Sequence, residues 1–384
     1  MKKHQKHTKL ARPNLGEFGR NEWAIIGTPC GNIQELSYRL IDVLHKTFKV
    51  SYVDADHKNE DEPAGLEVEN PALALGANLE YTDKISHHRF DIKSDLNTFQ
   101  YRTLFNEQDL ILVNGNHFKA KNQIVVIDPK KEKSLEKKLD RLTNVDLILM
   151  TGEEQSIYPF LKNHLKDWAH IPVLHFSQTE KIAEFILGNV LLQIPKLNGL
   201  VLAGGKSVRM GSDKGALDYH GKPQREFMAD LLSQFCEETY ISVRGSQGVE
   251  SEHELLEDTF VGLGPFGAIA SAMRKNPNTA WLVVACDLPL LDEKTLQFLV
   301  ENRTPSKVAT AIYNPETNFP EPLITIWEPR SYQVLLNFLT QGYSCPRKVL
   351  INSEIELLKL DDTKVLLNVN DAEGYEKVKN LPQT

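Results

Sequence analysis

The chain has 384 residues, 41% hydrophobic and 25% charged, proportions that provide a sizeable core and exclude a fibrous or wholly disordered polypeptide. Its 44 basic and 52 acidic side chains leave a formal charge of −8, which argues against a protein that coats nucleic acid or lies on an anionic membrane. Any phosphate chemistry must then rest on a local cluster of cations, and the length suggests two domains.

Residues 1–20, MKKHQKHTKLARPNLGEFGR, are basic and carry no apolar run. They read as a flexible tail, and no later stretch reaches the roughly 20 apolar residues of a membrane span. Cys30, Cys236, Cys286 and Cys345 are scattered with no C-x-x-C pair, which fits reduced thiols and a cytoplasmic location. The run EWAIIGTPCG, the helical spacing of Leu36, Leu40, Val43 and Leu44, and then KVSYVDAD predict strand, loop, helix and strand. Residues 61–95 are rich in turn formers and charge with poor periodicity and read as loop and edge structure. Order returns with QDLILVNGN, QIVVID, VDLILMTG and IPVLHFS as strands, EKSLEKKLDRL as a helix among them, and TEKIAEFILGNVLLQI as a closing helix.

At Pro195-Lys196-Leu197-Asn198 the pattern starts afresh, placing one domain at 21–195 and a second at 196–384. The second alternates NGLVLAGG, PQREFMADLLSQF, ETYISVRG, FGAIASAMRKN, TAWLVVACDLP, DEKTLQFLVENR, SKVATAIY and PLITIW. That order predicts a three-layer α/β/α domain with a mostly parallel sheet, and the first half predicts another of the same class.

Ligands of open α/β sheets lie beyond the carboxyl ends of strands, where the loop after GLVL must sit. Gly204 and Gly205 remove side chains so that backbone N–H groups can approach a phosphate, and Lys206, Arg209 and Lys214 concentrate positive charge there. A nucleoside triphosphate is the ligand this asks for; a tight turn is the plainer reading of the glycines, and a solvated lysine that of Lys206. Asp287 follows the run WLVVAC and so stands at a strand's carboxyl end, suited to Mg²⁺ or else to a helix cap, a role Asp292 fills better. Asp258 is open to a site role or to that of a turn carboxylate.

The string L-A-G-G-x-x-x-R-M-G-x-D-K, followed by Gly221, Lys222 and Pro223, resembles the molybdenum cofactor guanylyltransferases (MobA), which have a nucleotidyltransferase, Rossmann-like fold. LEDTFVGLGPFGAI, ACDLPLL and LNVNDAEGY resemble further segments of that family in the same order. The resemblance implies Asp287 on Mg²⁺, Arg209 and Lys214 on the triphosphate, and the backbone of Leu202, Ala203, Gly204 and Gly205 on the nucleotide. It also implies Asp258 beside the nucleotide, a turn at Gly264-Pro265, and Asn368 and Asn370 near a pterin. The implied reaction joins GMP from GTP to the terminal phosphate of molybdopterin, with molybdoenzymes or their chaperones as further partners. Another phosphorylated acceptor, or a non-catalytic adaptor, are the alternatives. Relatives using CTP tend to have L-A-A-G where this chain has L-A-G-G. Where the family often has an asparagine, the chain has ISVRG, so that Ser242 or Arg244 must serve or the contact is lost.

In the first half, a Walker A loop counted from Gly27 would put its closing Gly-Lys-Ser/Thr at Asn32, Ile33 and Gln34, so the phosphate-binding chemistry is absent. QDLILVNGNHFKAKNQIVVID and IPVLHFSQTEKIAEFIL nonetheless resemble MobB, with Asn114 in place of its glutamate. This implies a P-loop-like domain without a Walker A motif, serving as a docking or dimerisation surface. His57, His87, His88 and His117 match no standard metal spacing, and no basic partner for Cys30 can be named from the sequence.

Overall fold

A computed structural model describes residues 15–56, 71–153, 156–203, 214–245 and 250–369, together with 374, 376 and 378. They fall into two compact units, Leu15–Leu191 and the residues from Leu192 onward.

The first unit is built on β1 (Glu22–Ile26), β2 (Val50–Val53), β5 (Leu110–Asn114), β6 (Asn122–Ile127), β7 (Val145–Met150) and β8 (Val173–His175), with β3 (Leu79–Asp83) and β4 (His88–Ile92) in a separate sheet. The order is β2-β5-β1-β6-β7-β8 and every pairing is parallel. Parallel sheets are covered on both faces, which is why their strands are continuous apolar runs such as LILV and IVVI. On one face α1 (Cys30–Leu44) and α6 (Thr179–Leu192) bury Ile33, Leu36, Leu40, Ile182 and Ile186 against Ile25, Leu112 and Val126. On the other, α4 (Glu132–Glu136) and α5 (Pro159–His164) bury Leu135 and Leu161 against Ile26, Val125 and Ile148. Gly27 ends β1 at φ +103°, and a Cβ there would lie 2.4 Å from the Val126 carbonyl oxygen, so only glycine makes this turn. The fully buried Glu22 carboxylate accepts the backbone N–H groups of Glu17, Phe18, Gly19 and Lys121 at 2.7–3.0 Å.

The stretch expected to be loop and edge contains more order than that. After α2 (Pro71–Ala74), β3 (Leu79–Asp83) and β4 (His88–Ile92) pair antiparallel as a hairpin. Their alternation, L-E-Y-T-D against H-R-F-D-I, was available in the sequence. So was α3 (Thr98–Leu104), opened by a capping box between Asn97 and Gln100.

The second unit carries β9 (Leu197–Leu202), β10 (Thr239–Val243), β11 (Glu254–Glu257), β12 (Ala280–Ala285), β13 (Ala309–Asn314), β14 (Phe319–Trp327) and β15 (Ile355–Leu358). Their order is β11-β10-β9-β12-β14-β13-β15, and β14 alone in this sheet runs antiparallel to its neighbours. Helices α7 (Gln224–Ser233) and α9 (Glu293–Glu301) pack Met228, Leu232, Leu296 and Leu299 on one face. Helices α8 (Pro265–Lys275), α10 (Ser331–Thr340) and α11 (Pro346–Ile351) pack Phe266, Ile269, Leu335 and Val349 on the other. Both units are therefore three-layered.

One buried ion pair fixes the entry to this sheet. Arg303 donates from Nε and Nη2 to both oxygens of Glu328, at 2.7 and 2.9 Å, and from Nη2 to the Pro195 carbonyl at 2.8 Å. Glu328 is wholly buried, so Arg303→Ala strands a charge away from water. Loss of one partner from such a pair costs about 3–5 kcal/mol; a fall in the urea midpoint at unchanged slope is expected, and a variant of wild-type stability would show that water replaces the guanidinium.

Candidate functional site

Strands β11, β10, β9 and β12 run parallel, so their carboxyl ends share one edge. Chain order reverses between β9 and β12, which makes the gap beyond them the topological switch point where open α/β sheets bind ligands. Leu202 stands opposite Ala285, and the Cys286 N–H reaches the Leu202 carbonyl at 3.3 Å. The loop entered through Leu202 and Ala203 and the carboxylate of Asp287 thus leave the sheet from adjacent strands.

Asp287 is half-buried. Asp292 takes the cap of α9, accepting the Thr295 N–H at 2.8 Å, so Asp287 is not needed for that role. The Val369 N–H donates to the Asp287 carbonyl at 2.9 Å, which brings the exposed Asn368 into the same neighbourhood. That one backbone hydrogen bond joins positions 82 residues apart in the sequence (369 − 287).

A hard carboxylate oxygen at this edge fits Mg²⁺, which binds through one or two carboxylates and completes its shell with phosphate oxygens and water. Among the described residues no group of three or more His, Cys, Asp or Glu forms a cage for a metal.

Asp258 follows β11, three strands from Asp287, or about 14 Å at about 4.8 Å per strand. The two carboxylates therefore belong to different ends of the crevice. The Ser242 hydroxyl donates to Asp258 Oδ1 at 2.8 Å, and Ser242 is 1% exposed. Its hydroxyl is thus committed to Asp258, leaving Arg244, exposed at the same strand end. Burial pushes the Asp258 carboxyl up, while the Ser242 hydrogen bond and the Arg244 charge oppose the rise. Gly264, at φ +58°, and Pro265 form the expected turn into α8.

Gly204, Gly205, Lys206, Arg209, Asn370 and His57 lie outside the described residues. Lys214 opens a 3-10 turn, Lys214–Ala216. Beyond it, Lys222 is engaged with Asp230, which also accepts from His253 Nε2 at 2.7 Å. His88 lies on the hairpin beside Tyr81, while His117 lies against Cys30.

The sequence reading missed a cavity of about 450 Å³ lined by Leu288, Asn314, Glu321, Leu323, Arg347 and Asn368 among others. Asn314 Nδ2 and Arg347 Nη2 each donate to Glu321 Oε2 at 3.4 Å. Arg347 Nε is closed off from solvent without a hydrogen-bond partner. These polar groups come from β13, β14 and α11 and share no sequence pattern.

The profile of the MobA-like NTP transferase domain matches residues 199–355. A probable molybdenum cofactor guanylyltransferase of Carboxydothermus hydrogenoformans is 31% identical over 185 residues, 46% of this chain and 92% of that protein. The chain belongs to the MobA-like NTP transferase family. A molybdenum cofactor biosynthesis bifunctional protein of Synechocystis is 33% identical over 201 residues, 52% of this chain, and the match spans 58% of that relative's length. The solved molybdopterin-guanine dinucleotide biosynthesis protein A of Archaeoglobus fulgidus is 21% identical, covers 47% of this chain and 96% of its own, and superposes with a TM-score of 0.42.

Within the MobA-like domain the Asp258 environment gives a pH signature. Because its folded pKa is raised, the folded state holds this proton more tightly than the unfolded chain. The stability it contributes is present in acid and lost as pH rises through the folded pKa. In Ser242→Ala the opposing hydrogen bond is gone, so the carboxyl midpoint, read by carbon-detected NMR, should move higher still. A lower or unchanged midpoint would show that Ser242 does not act on Asp258.

Proposed function

We propose that this chain is a GTP:molybdopterin guanylyltransferase. The observation that carries the reading is the position of Asp287 at the switch point, one strand over from Leu202 and Ala203, in a chain of the MobA-like NTP transferase family.

In this reading the terminal phosphate of molybdopterin attacks the α-phosphorus of GTP. One oxygen–phosphorus bond forms, the bond from the α-phosphorus to the bridging oxygen breaks, and pyrophosphate leaves. A phosphate nucleophile is already anionic and needs no general base, so positioning and charge neutralisation supply the catalysis. Asp287 would hold Mg²⁺, which when bound neutralises charge on the triphosphate. Arg209 and Lys214 take the charge of the departing pyrophosphate, and the backbone from Leu202 to Gly205 holds the nucleotide, with Asp258 at its far end. Asn368 and Asn370 hold the pterin. The cavity beside Asn368 suits it, since the Glu321 carboxylate complements the two N–H groups of a 2-amino-4-oxo ring edge and Arg347 complements its phosphate.

The domain limits are read as 21–195 and 196–384, with Glu17, Phe18 and Gly19, expected in the tail, bonded instead to the Glu22 carboxylate as part of the unit Leu15–Leu191. The first domain is P-loop-like without a Walker A motif, a reading supported by a central β1 that turns through Gly27 into α1. Ile33, at the lysine position of such a loop, is fully buried in the core, so we assign the domain to docking, with molybdoenzymes or their chaperones as partners. Among the described residues no helix is long and apolar enough to cross a membrane.

The test is pyrophosphate release with Mg²⁺ and molybdopterin, comparing GTP with CTP and omitting the acceptor. Release that needs both GTP and acceptor is expected, and Asp287→Asn should lower kcat by about 100-fold or more. Release without acceptor dependence, or a fully active Asp287→Asn, would remove the acceptor or the metal assignment respectively.

A further inference from the structure

The first unit has its own strand-end crevice, where β1 runs between β5 and β6 into the turn before α1. A phosphate site is not what the residues build there. Ile33 points into the core, and the Gln34 amide is engaged with the Tyr38 hydroxyl at 3.1 Å on an exposed face. What the crevice holds is a thiol beside an imidazole.

Cys30 is the first residue of α1, and its Sγ lies 3.3 Å from His117 Nε2, in the turn after β5. The pair is held from several sides. Asn116 Nδ2 donates to Cys30 Sγ at 3.4 Å and to the Thr28 carbonyl at 2.9 Å. Lys138 Nζ in turn donates to the Asn116 carbonyl at 3.0 Å, and Arg141 Nη1 to the Gly115 carbonyl at 2.8 Å. Thr28 is anchored by Asp128 at 2.7 Å. Burial and the neighbouring Arg141 charge lower the Lys138 pKa. Both Cys30 and His117 are partly exposed.

A thiol within reach of a base, accepting a hydrogen bond at sulfur and placed at a helix N-terminus among cations, is the arrangement that favours a nucleophilic thiolate. The cations on its rim favour an anionic reactant. We propose that Cys30 and His117 form a thiol-exchange site for anionic low-molecular-weight disulfides. In the step, His117 Nε2 takes the Cys30 proton and Sγ attacks one sulfur of the disulfide. The S–S bond of the reactant breaks, its second sulfur leaves as a thiolate, and that thiolate takes the proton back from His117. The products are a mixed disulfide on Cys30 and one free thiol, with no other oxidant consumed. The site is independent of the guanylyltransferase reading and would survive its failure.

The other thiols supply internal references. Cys345 is exposed and Cys286 buried, and burial pushes the Cys236 thiol up to about 12. The full-length chain is incubated at neutral pH with glutathione disulfide, and adducts are timed by peptide mass spectrometry. Cys30 is expected to react roughly tenfold faster than the more exposed Cys345. His117→Gln should bring Cys30 down to the Cys345 rate while leaving Cys345 unchanged, an effect that a loosened first unit would not produce, since loosening would open Cys30 to the disulfide and speed its reaction. A Cys345 rate equal to or above that of Cys30 in the unmodified chain overturns the proposal whether or not the variant folds. So does a folded His117→Gln that reacts at the wild-type rate.

Discussion

The candidate nucleotide site depends on the parallel pairing of β9 with β12. Chain segments between them form β10 and β11 on the far side of β9, so the connection that returns to β12 must reverse the strand order. That reversal opens the crevice. The register, Leu202 against Ala285, then sets the loop after β9 and the carboxylate of Asp287 at neighbouring strand ends. A slip of one residue would turn every inward side chain of β12 to the opposite face, and the alternate burial of Leu282 and Val284 on one face and Trp281 and Val283 on the other prevents it.

Each unit also secures its first strand with a buried acid. In the first, Glu22 gathers four backbone N–H groups of the preceding turn and of the segment entering β6. In the second, Glu328 at the end of β14 holds Arg303, which holds the carbonyl of Pro195 just before β9. A buried carboxylate is tolerated only with its lone pairs occupied, so these residues tie segments distant in sequence to a single geometry.

Much of the architecture was legible because parallel strands advertise themselves as apolar runs and the helices between them carry a regular apolar stripe. The hairpin β3–β4 was harder to see. Its strands expose Leu79, Tyr81, Phe90 and Ile92, so their alternation lacks the usual correspondence between apolar and buried. Short strands such as β11 and β15, four residues each, offer too little periodicity to separate from loop. In the site, Asp287 was legible from a strand end and a motif, and Asp292 from a helix start. The Ser242–Asp258 hydrogen bond was not, because the two residues belong to different strands whose pairing had to be known first.

By itself the sequence determined the α/β class, the restart of the pattern near Pro195, the glycine loop with its cations, and the absence of a Walker lysine. These follow from local composition and from spacing within one element. Only the tertiary structure decided that Asn368 lies beside Asp287, that Asn314, Glu321 and Arg347 face one cavity, and that His117 meets Cys30. Each of those meetings joins residues from separate strands or helices. Strand order and register, which long-range packing fixes, carry the information that local spacing lacks.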